Sequence, residues 1–378
     1  MKILITDCLY RKTFDIYNIV KQNYNASQII LASDNNTWKG KLIYKINISI
    51  LRKNAFEIFR IDLLNISKLF GDEQIIYLPI EEDTTLLFLN SIKETGSLNF
   101  RYLLPEFNSF AIARDKYLLN KFCIEQNIPT PILFEKDGIE SLQSNFIPLI
   151  IKPRIGSGAK GIIHIDTKDE LGKLRDIKKE DFVIQEKLKN GKDVKGAFFL
   201  CDRGNVISSY CHERIRTFPV DGGATSYSRI SINEEIIKIG SLLLKKLNWS
   251  GFAMIEFLWD EVNNTYKVIE INPRLWGSIL LSEFANTNFI LNYINLCIGE
   301  PIIDSKINQD AKTRWMPFEF LNLIASKGKI KNFWKFNKKE DICYINYTYA
   351  SWWSIIWFHM FFYFNFSNFK NLFLKWKK

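Results

Sequence analysis

The sequence predicts an α/β protein that opens on a small parallel-sheet domain, and three stretches carry the prediction. Residues 1–33 run strand, helix, strand: KILIT, a helix from about Phe14 to Asn23, then QIILAS. A further strand, IIYLP at 75–79, leads into EEDTTLLFLNSI, which starts with acids and continues with helix-compatible apolar spacing. The same alternation resumes at PLIIK (148–152), where a second α/β unit begins. Strands that alternate with helices favour a parallel sheet. The chain divides accordingly into a small α/β domain over 1–108, a central body over 109–301 and a C-terminal segment over 302–378.

Within that outline each element has its own signal. Thr6-Asp7-Cys8 stands after the first strand where a glycine-rich phosphate turn would be, which argues against a dinucleotide site there. ARDKYLLNKFCIEQ (113–126) reads as one helix, stopped at Asn127 by Pro129 and Pro131. DFVIQEKL (181–188) reads as a strand and AFFLCDRGNVISSY as a hairpin, whereas HERIRTFPVDGGATSYSRI (212–230) is polar and loop-like.

Charge and cysteine content narrow the classes. Of the net charge of +10, residues 302–378 carry +8, from 13 Lys/Arg against 5 Asp/Glu. A nucleic-acid enzyme spreads such a bias over its whole binding domain, so no nucleic-acid partner is expected. The six cysteines are scattered with no C-x-x-C pair, which suits reduced thiols in a cytoplasmic protein better than a zinc site. MKILITDCLY places an acid early and reads as a first strand, not a signal peptide.

The most informative segment is GFAMIEFLWDEVNNTYKVIEINPRLWGS (251–278), two apolar strands around a polar turn at 260–265. Alternation puts Met254, Glu256 and Leu258 on one face, and Val268, Glu270 and Asn272 on one face of the partner strand. Buried carboxylates without counter-charge cost several kcal/mol, and a divalent cation resolves the cost; an oxygen-only ligand set suits magnesium, with manganese as a substitute. A second feature is Gly156-Ser157-Gly158-Ala159-Lys160-Gly161, which follows a buried strand ending in Lys152. Glycines let backbone N–H groups approach phosphate oxygens, and Lys160 adds charge. The following strand GIIHID distinguishes it from a G-x-x-x-x-G-K-[ST] loop, which opens a helix.

With these parts in series, the sequence resembles the ATP-grasp superfamily, and within it the carbamoyl-phosphate-synthase-like carboxylate–amine ligases. RDK (114–116) opens the domain, followed in order by IIKP (150–153), GSGAKG (156–161), QEKL (185–188), GKDV (191–194), GFAMIEF and IEINPRLWGS. The resemblance covers about 109–300 and implies two α+β subdomains gripping ATP, preceded by the small domain that commonly goes before this fold. It implies that Lys116 and Lys152 contact ATP phosphates, that the 156–161 loop covers them, and that Glu186, Lys187 and Leu188 present hinge backbone to adenine. Asp193 would take the ribose hydroxyls, although the family more often has Glu there. Glu256, Glu270 and Asn272 would bind one or two magnesium ions, and Arg274 would stabilise the transferred phosphoryl charge.

Arg214 and Arg216, two apart on an extended segment, share a face and suit a bidentate grip on carboxylate or phosphate. Only three histidines occur, which leaves little support for histidine-based nucleophilic catalysis. In SWWSIIWFHMFFYFNFSNFKNLFLKWKK (351–378), twelve residues are aromatic and none is acidic. The apolar run 352–364 is shorter than the roughly 20 residues that span a bilayer. Two readings stand: an interfacial segment docking on anionic membrane, or a terminal helix packed on the protein. The function expected is an ADP-forming ligase that joins a small carboxylate to an amine through an acylphosphate, acting on an amino acid or cell-surface glycan precursor, as a monomer or homo-oligomer. A small-molecule kinase and a membrane-docked nucleotide-binding protein without turnover are the alternatives.

Overall fold

The computed structural model describes residues 1–134, 148–156, 161–174, 178–188, 194–218, 224–325, 337–338, 341–345 and 347–363. The chain forms two units, one of Met1–Leu103, Arg214–Ile230 and Arg274–Lys378, the other of Leu104–Glu213 and Ser231–Pro273.

The first unit starts with β1 (Lys2–Ile5), α1 (Arg11–Asn23), β2 (Ile29–Ser33), α2 (Thr37–Tyr44), β3 (Ile48–Ile50), α3 (Phe56–Leu69), β4 (Ile75–Leu78), α4 (Glu82–Thr95) and β5 (Phe100–Arg101). The strands pair in the order β3-β2-β1-β4-β5, every pair parallel, which is the sheet the alternation predicts. β2 and β4 are buried along their whole length, as unbroken apolar runs are when helices cover both faces. Helix α1 begins three residues before the expected Phe14, and its first turn carries Arg11 and Lys12. Asp7, just after β1, sits at φ 55°, and its carboxylate accepts from Lys53 (2.6 Å), Thr84 (3.1 Å) and Thr6 (2.7 Å). An ion pair thus occupies the turn where a dinucleotide fold places glycines.

The second unit begins with α5 (Phe107–Arg114) and α6 (Lys116–Glu125). The single helix expected over 113–126 is broken at Asp115, which is extended (φ −102°, ψ 110°) and accepts from the backbone N–H groups of Tyr117 (2.9 Å) and Leu118 (3.2 Å). A side-chain cap stabilises a new helix start by about 1 kcal/mol, and here it outweighs continuation. The strands β6 (Leu133–Phe134), β7 (Leu149–Pro153), β8 (Ile163–Ile165) and β9 (Phe182–Glu186) form an antiparallel sheet in the order β6-β9-β7-β8 around Leu149, Ile151, Ile165 and Ile184. β10 (Lys195–Asp202) and β11 (Asn205–Phe218) make the expected hairpin. Its two-residue turn, Arg203-Gly204, has φ 47° and 77°, the left-handed pair that matches strand twist. The segment read as loop-like from His212 continues β11 as far as Phe218, and the chain resumes as β12 (Ala224–Ser231). Pairing of His212 with Gly196 on β10 draws the polar stretch into the sheet.

Helix α7 (Glu234–Lys246) is capped by Asn233 and carries acids in its first turn and lysines in its last, matching the helix dipole. β13 (Gly251–Asp260) and β14 (Thr265–Asn272) are the hairpin the sequence predicts, and they extend the order to β14-β13-β10-β11. The first unit is completed by α8 (Ile279–Phe284), α9 (Phe289–Ile298), β15 (Lys312–Arg314), α10 (Met316–Ala325), β16 (Asn337–Lys338), β17 (Asp341–Ile345) and α11 (Trp352–Tyr363), with β12, β15, β17 and β16 paired in that order.

The terminal helix is in part a core element. Phe358 is buried and stacks on Phe14 of α1 at 4.4 Å, while Trp353 donates its indole N–H to the Leu42 carbonyl at the end of α2 (2.6 Å). Trp352 and Ile356 remain exposed, at 81% and 61%. No helix among the described residues is long and apolar enough to cross a membrane. All six cysteines are free, five of them buried, and burial pushes the thiols of Cys8, Cys123, Cys201, Cys211 and Cys297 up to about 12.

Packing in the second unit is tight at Gly240 of α7, where an added Cβ would lie 2.5 Å and 2.8 Å from ring atoms of the buried Phe199 and 3.2 Å from Ile255. Helix propensity alone would make Gly240→Ala stabilising by about 1 kcal/mol. Overpacking is the larger effect, so the variant should lose about 1–3 kcal/mol, read as a lower urea midpoint.

Candidate active site

The hairpin β13–β14 sets the centre of the site. Glu256 lies directly opposite Glu270, and Met254 opposite Asn272, so the three polar side chains share a face, as expected. An irregularity after Glu256 places Phe257 opposite Val268, with Ile269 as the extra residue. Val268 therefore belongs to the opposite face, contrary to the simple alternation, because a bulge inverts the pleat for the residues beyond it.

The carboxylates meet lysines. Lys116, first residue of α6, places its ammonium 3.2 Å from Glu270 and donates to the Gly156 carbonyl (2.7 Å). Lys152, buried on β7, lies in the field of Glu270, Lys116 and Glu256. Burial, with Lys116 adding to it, pulls Lys152 down to about 8 even though the two acids favour its charge. For Glu270, burial pushes upward, but Lys116, a hydrogen bond from Asn272 (3.2 Å) and Lys152 together hold it below its ordinary value. Two carboxylates and an amide form an oxygen donor set of the kind hard cations take, and Glu256, Glu270 and Asn272 fit magnesium on that ground. Among the described residues no three His, Cys, Asp or Glu side chains cluster in a way that could hold a metal ion.

Two supports were not singled out in the sequence. Arg154, two residues after the strand lysine, grips Asp115 through two nitrogens, at 3.0 Å and 2.6 Å, and its backbone carbonyl accepts from Lys116 N–H (3.0 Å). The pair ties the start of α6 to the end of β7 and so places both lysines. Lys267 bridges Glu186 (2.5 Å) and Asp260 (2.7 Å). The legible signal for the Arg154–Asp115 pair was adjacency, since Asp115 lies inside RDK and Arg154 directly follows IIKP.

At the expected hinge, Glu186 N–H donates to Ile132 O (3.0 Å) and Lys187 N–H to Pro148 O (2.7 Å). The Lys187 ammonium pairs with Asp166 (2.6 Å), and Leu188 is buried. Gly156 and Gly161 have φ 134° and 71°, conformations that suit glycine, whereas Ser157, Gly158, Lys160 and Asp193 lie outside the described residues.

The three arginines expected at the chemistry belong to the other unit. Arg274 donates to Glu82 at the start of α4 (3.2 Å) and to the Leu275 carbonyl (3.2 Å). That carbonyl also accepts from Lys12 (3.0 Å), which pairs with Glu81 (2.9 Å). Burial, followed by repulsion from Arg274, brings Lys12 down to about 7. Arg214 and Arg216 sit on β11, and Arg216 holds the fully buried carboxylate of Glu319 on α10 while covering the Tyr227 ring at 4.6 Å.

The comparisons agree with this architecture. Residues 113–278 match the family model of the ATP-grasp domain. The chain has the ATP-grasp fold over the matched residues, with a parallel α/β domain before it. It is similar to a biotin carboxylase–beta-gamma-ATP complex from Campylobacter jejuni, with TM-score 0.62 and 13% identity over 82% of this chain and 74% of that one. It is similar also to an L-amino acid ligase from Bacillus licheniformis, with TM-score 0.57 and 16% identity over 79% and 74%. In sequence, 180 residues are 23% identical to pyruvate carboxylase of Bacillus subtilis, covering 44% of this chain. The chain spans only 16% of that relative's length.

The depressed Lys152 yields a test with a definite sign. Below about pH 8 the ammonium is charged in folded and unfolded chains, and the folded state bears the full burial cost; above its ordinary value of 10.5 neither state is charged. Lys152→Met should thus be more stable than wild type at pH 7, by up to about 3 kcal/mol, and the difference should shrink between pH 8 and 10.5. Urea denaturation of both proteins at several pH values reads it.

Proposed function

We propose that the chain is an ATP-dependent ligase that joins a small carboxylate to an amine and releases ADP. The observation that carries this reading is the Lys116–Glu270–Lys152 cluster on the ATP-grasp domain, where a helix lysine and a lysine from a second sheet meet a carboxylate of the β13–β14 hairpin. Lys116 and Lys152 neutralise ATP phosphate oxygens, and a partly loosened proton on Lys152 eases adjustment as charge moves during transfer. Glu256, Glu270 and Asn272 would hold magnesium, which would supply stabilisation of the charge that develops on the transferred phosphoryl group. At the hinge, the N–H groups of Glu186 and Lys187 are used within the protein, so adenine is met by the Glu186 carbonyl and the Leu188 N–H.

In the reaction, a substrate carboxylate oxygen takes the γ-phosphoryl group and ADP leaves. The amine nitrogen then attacks the acyl carbon, phosphate departs as the C–O bond breaks, and the nitrogen loses a proton as the amide forms. The chain supplies position and charge more than acid–base groups. Arg274 and Arg216 are each oriented within their own unit by an acid, Glu82 and Glu319.

The test is ADP release across a panel of amino acids and sugar acids, with products weighed by mass spectrometry. An amide with ADP and phosphate is expected. AMP with pyrophosphate would replace this mechanism by adenylation, and a stable phosphorylated acceptor without amide would mark a kinase. Glu270→Gln should abolish ADP formation and also cost about 1–3 kcal/mol, since the two lysines lose their shared anion. The assay therefore runs well below the variant's melting temperature, and wild-type turnover in the variant would sink the assignment.

We propose further that α11 docks on anionic membrane. Exposed Trp352 and Ile356 lie on a helix whose Trp353 ring carries Lys45 at 4.5 Å, an aromatic–cation pairing suited to headgroups. A Trp352→Ser/Ile356→Ser variant should lose co-sedimentation with phosphatidylserine vesicles and keep its melt. Phe358→Ala, which empties the contact with Phe14, should instead lower stability by about 3–5 kcal/mol. Undiminished vesicle binding in the double variant removes the docking proposal.

A further inference from the structure

Lys267 is a buried cation to which nothing above gives a part in binding. It stands on β14 three residues before Glu270, and the bulge at Ile269 decides which way it faces. In an unbroken register Val268 would stand opposite Leu258; with the extra residue, Lys267 does. Leu258 shares its face of β13 with Glu256, so Lys267 joins Glu256, Glu270 and Asn272 on one face of the hairpin. Bulges beside a site re-aim side chains in this way.

Lys267 is 6% exposed, and its ammonium lies 2.7 Å from Asp260 and 2.5 Å from Glu186. Burial works against its charge, but hydrogen bonds to the two carboxylates hold it above its ordinary value. The two acids have different surroundings. Asp260 also accepts from Val262 N–H (3.0 Å) and from Asn263 (2.6 Å), and so fastens the turn between β13 and β14. Glu186 ends β9, in the other sheet, and belongs to the hinge. A strap of hydrogen bonds runs beside the ion pair. Val268 N–H donates to the Pro129 carbonyl (2.8 Å), the Thr130 hydroxyl to the Val268 carbonyl (3.2 Å), and Ile132 N–H to the Glu186 carboxylate (2.9 Å). Lys267 closes this strap into a ring through β14, residues 129–132 and Glu186. The ring joins the sheet that carries the hinge to the hairpin that carries Glu256 and Glu270.

From this geometry we infer that Lys267 is a positioning residue for the nucleotide: it fixes the spacing between the hinge that meets adenine and the face that meets the phosphates. The inference rests on ATP occupying the second unit as proposed above, but not on the ligase chemistry. ATP has a limited reach, so both its ends are engaged together only when hinge and hairpin stand at the matching separation. A separation set in advance by a buried ion pair leaves less ordering for binding to impose. The ammonium is committed to two acids, so Lys267 acts on the ligand through Glu186. Its loss should therefore weaken binding of the whole nucleotide and leave binding of a bare triphosphate chain intact.

The test is calorimetric titration of the full-length protein with a non-hydrolysable ATP analogue and with tripolyphosphate, both in magnesium. Lys267→Met should weaken analogue binding at least about tenfold, a difference of about 1.4 kcal/mol, and leave tripolyphosphate binding within about twofold. Glu186→Gln removes the same ion pair but leaves an oxygen for the Ile132 N–H and leaves Lys267 paired with Asp260, so it carries the test where the lysine variant fails to fold. It should show the same selective weakening, and the double variant should bind the analogue no more weakly than Lys267→Met alone, since both changes act through one contact. Equal weakening of both ligands would make the ion pair a part of the general fold, and unchanged analogue binding or additive losses would leave it no positioning role; each overturns the inference. Wild-type protein that does not bind the analogue removes the nucleotide site and this inference with it. Selective weakening in a protein that releases no ADP with any substrate would keep the inference and remove the ligase reading.

Discussion

A single carboxylate, that of Glu270, sets the arrangement of the second unit. It is held among apolar strands, where an unmatched charge would cost several kcal/mol, and Lys116 and Lys152 approach it from two other elements. Those lysines are in turn held by backbone and by the Asp115–Arg154 pair, so the break between α5 and α6, the end of β7 and the β13–β14 hairpin form one electrostatic frame. Removing the shared anion leaves both lysines buried without compensation. A frame of this kind tolerates little drift, which is what positioning of a polyphosphate demands.

The first unit uses a similar device with different parts. Glu319, from the basic C-terminal region, is fully buried because Arg216 and Ser226 meet its two oxygens. Trp315 and Phe318 from the same region form the surface on which Arg11 lies. The excess of lysine that marks residues 302–378 in the sequence therefore coexists with a few buried residues that organise distant strands and helices.

Much of this was legible in the sequence because it depends on local pattern. The parallel sheet followed from apolar runs alternating with helices, and the face shared by Glu256, Glu270 and Asn272 followed from a period of two. The exceptions have long-range causes. Asp115 interrupts a helix that propensity would continue because its side chain caps α6 and meets Arg154, 39 residues away. The bulge at Ile269 moves Val268 off the expected face, a change of register that no residue type announces. The polar stretch from His212 became strand because β10 offered it a partner edge.

The buried cysteines give the molecule a property unrelated to its chemistry. Five thiols enclosed in the two units, Cys8 and Cys343 in one and Cys123, Cys201 and Cys211 in the other, are screened from water by packing. Four of them are also held in the unreactive protonated form, since burial pushes those four thiols up to about 12. Alkylating reagents therefore gain access only when the surrounding structure opens, at a rate set by local unfolding. The chain thus carries natural reporters of breathing in each of its halves, and peptide mapping of modified sites over time would reveal which half loosens first, without any label being introduced.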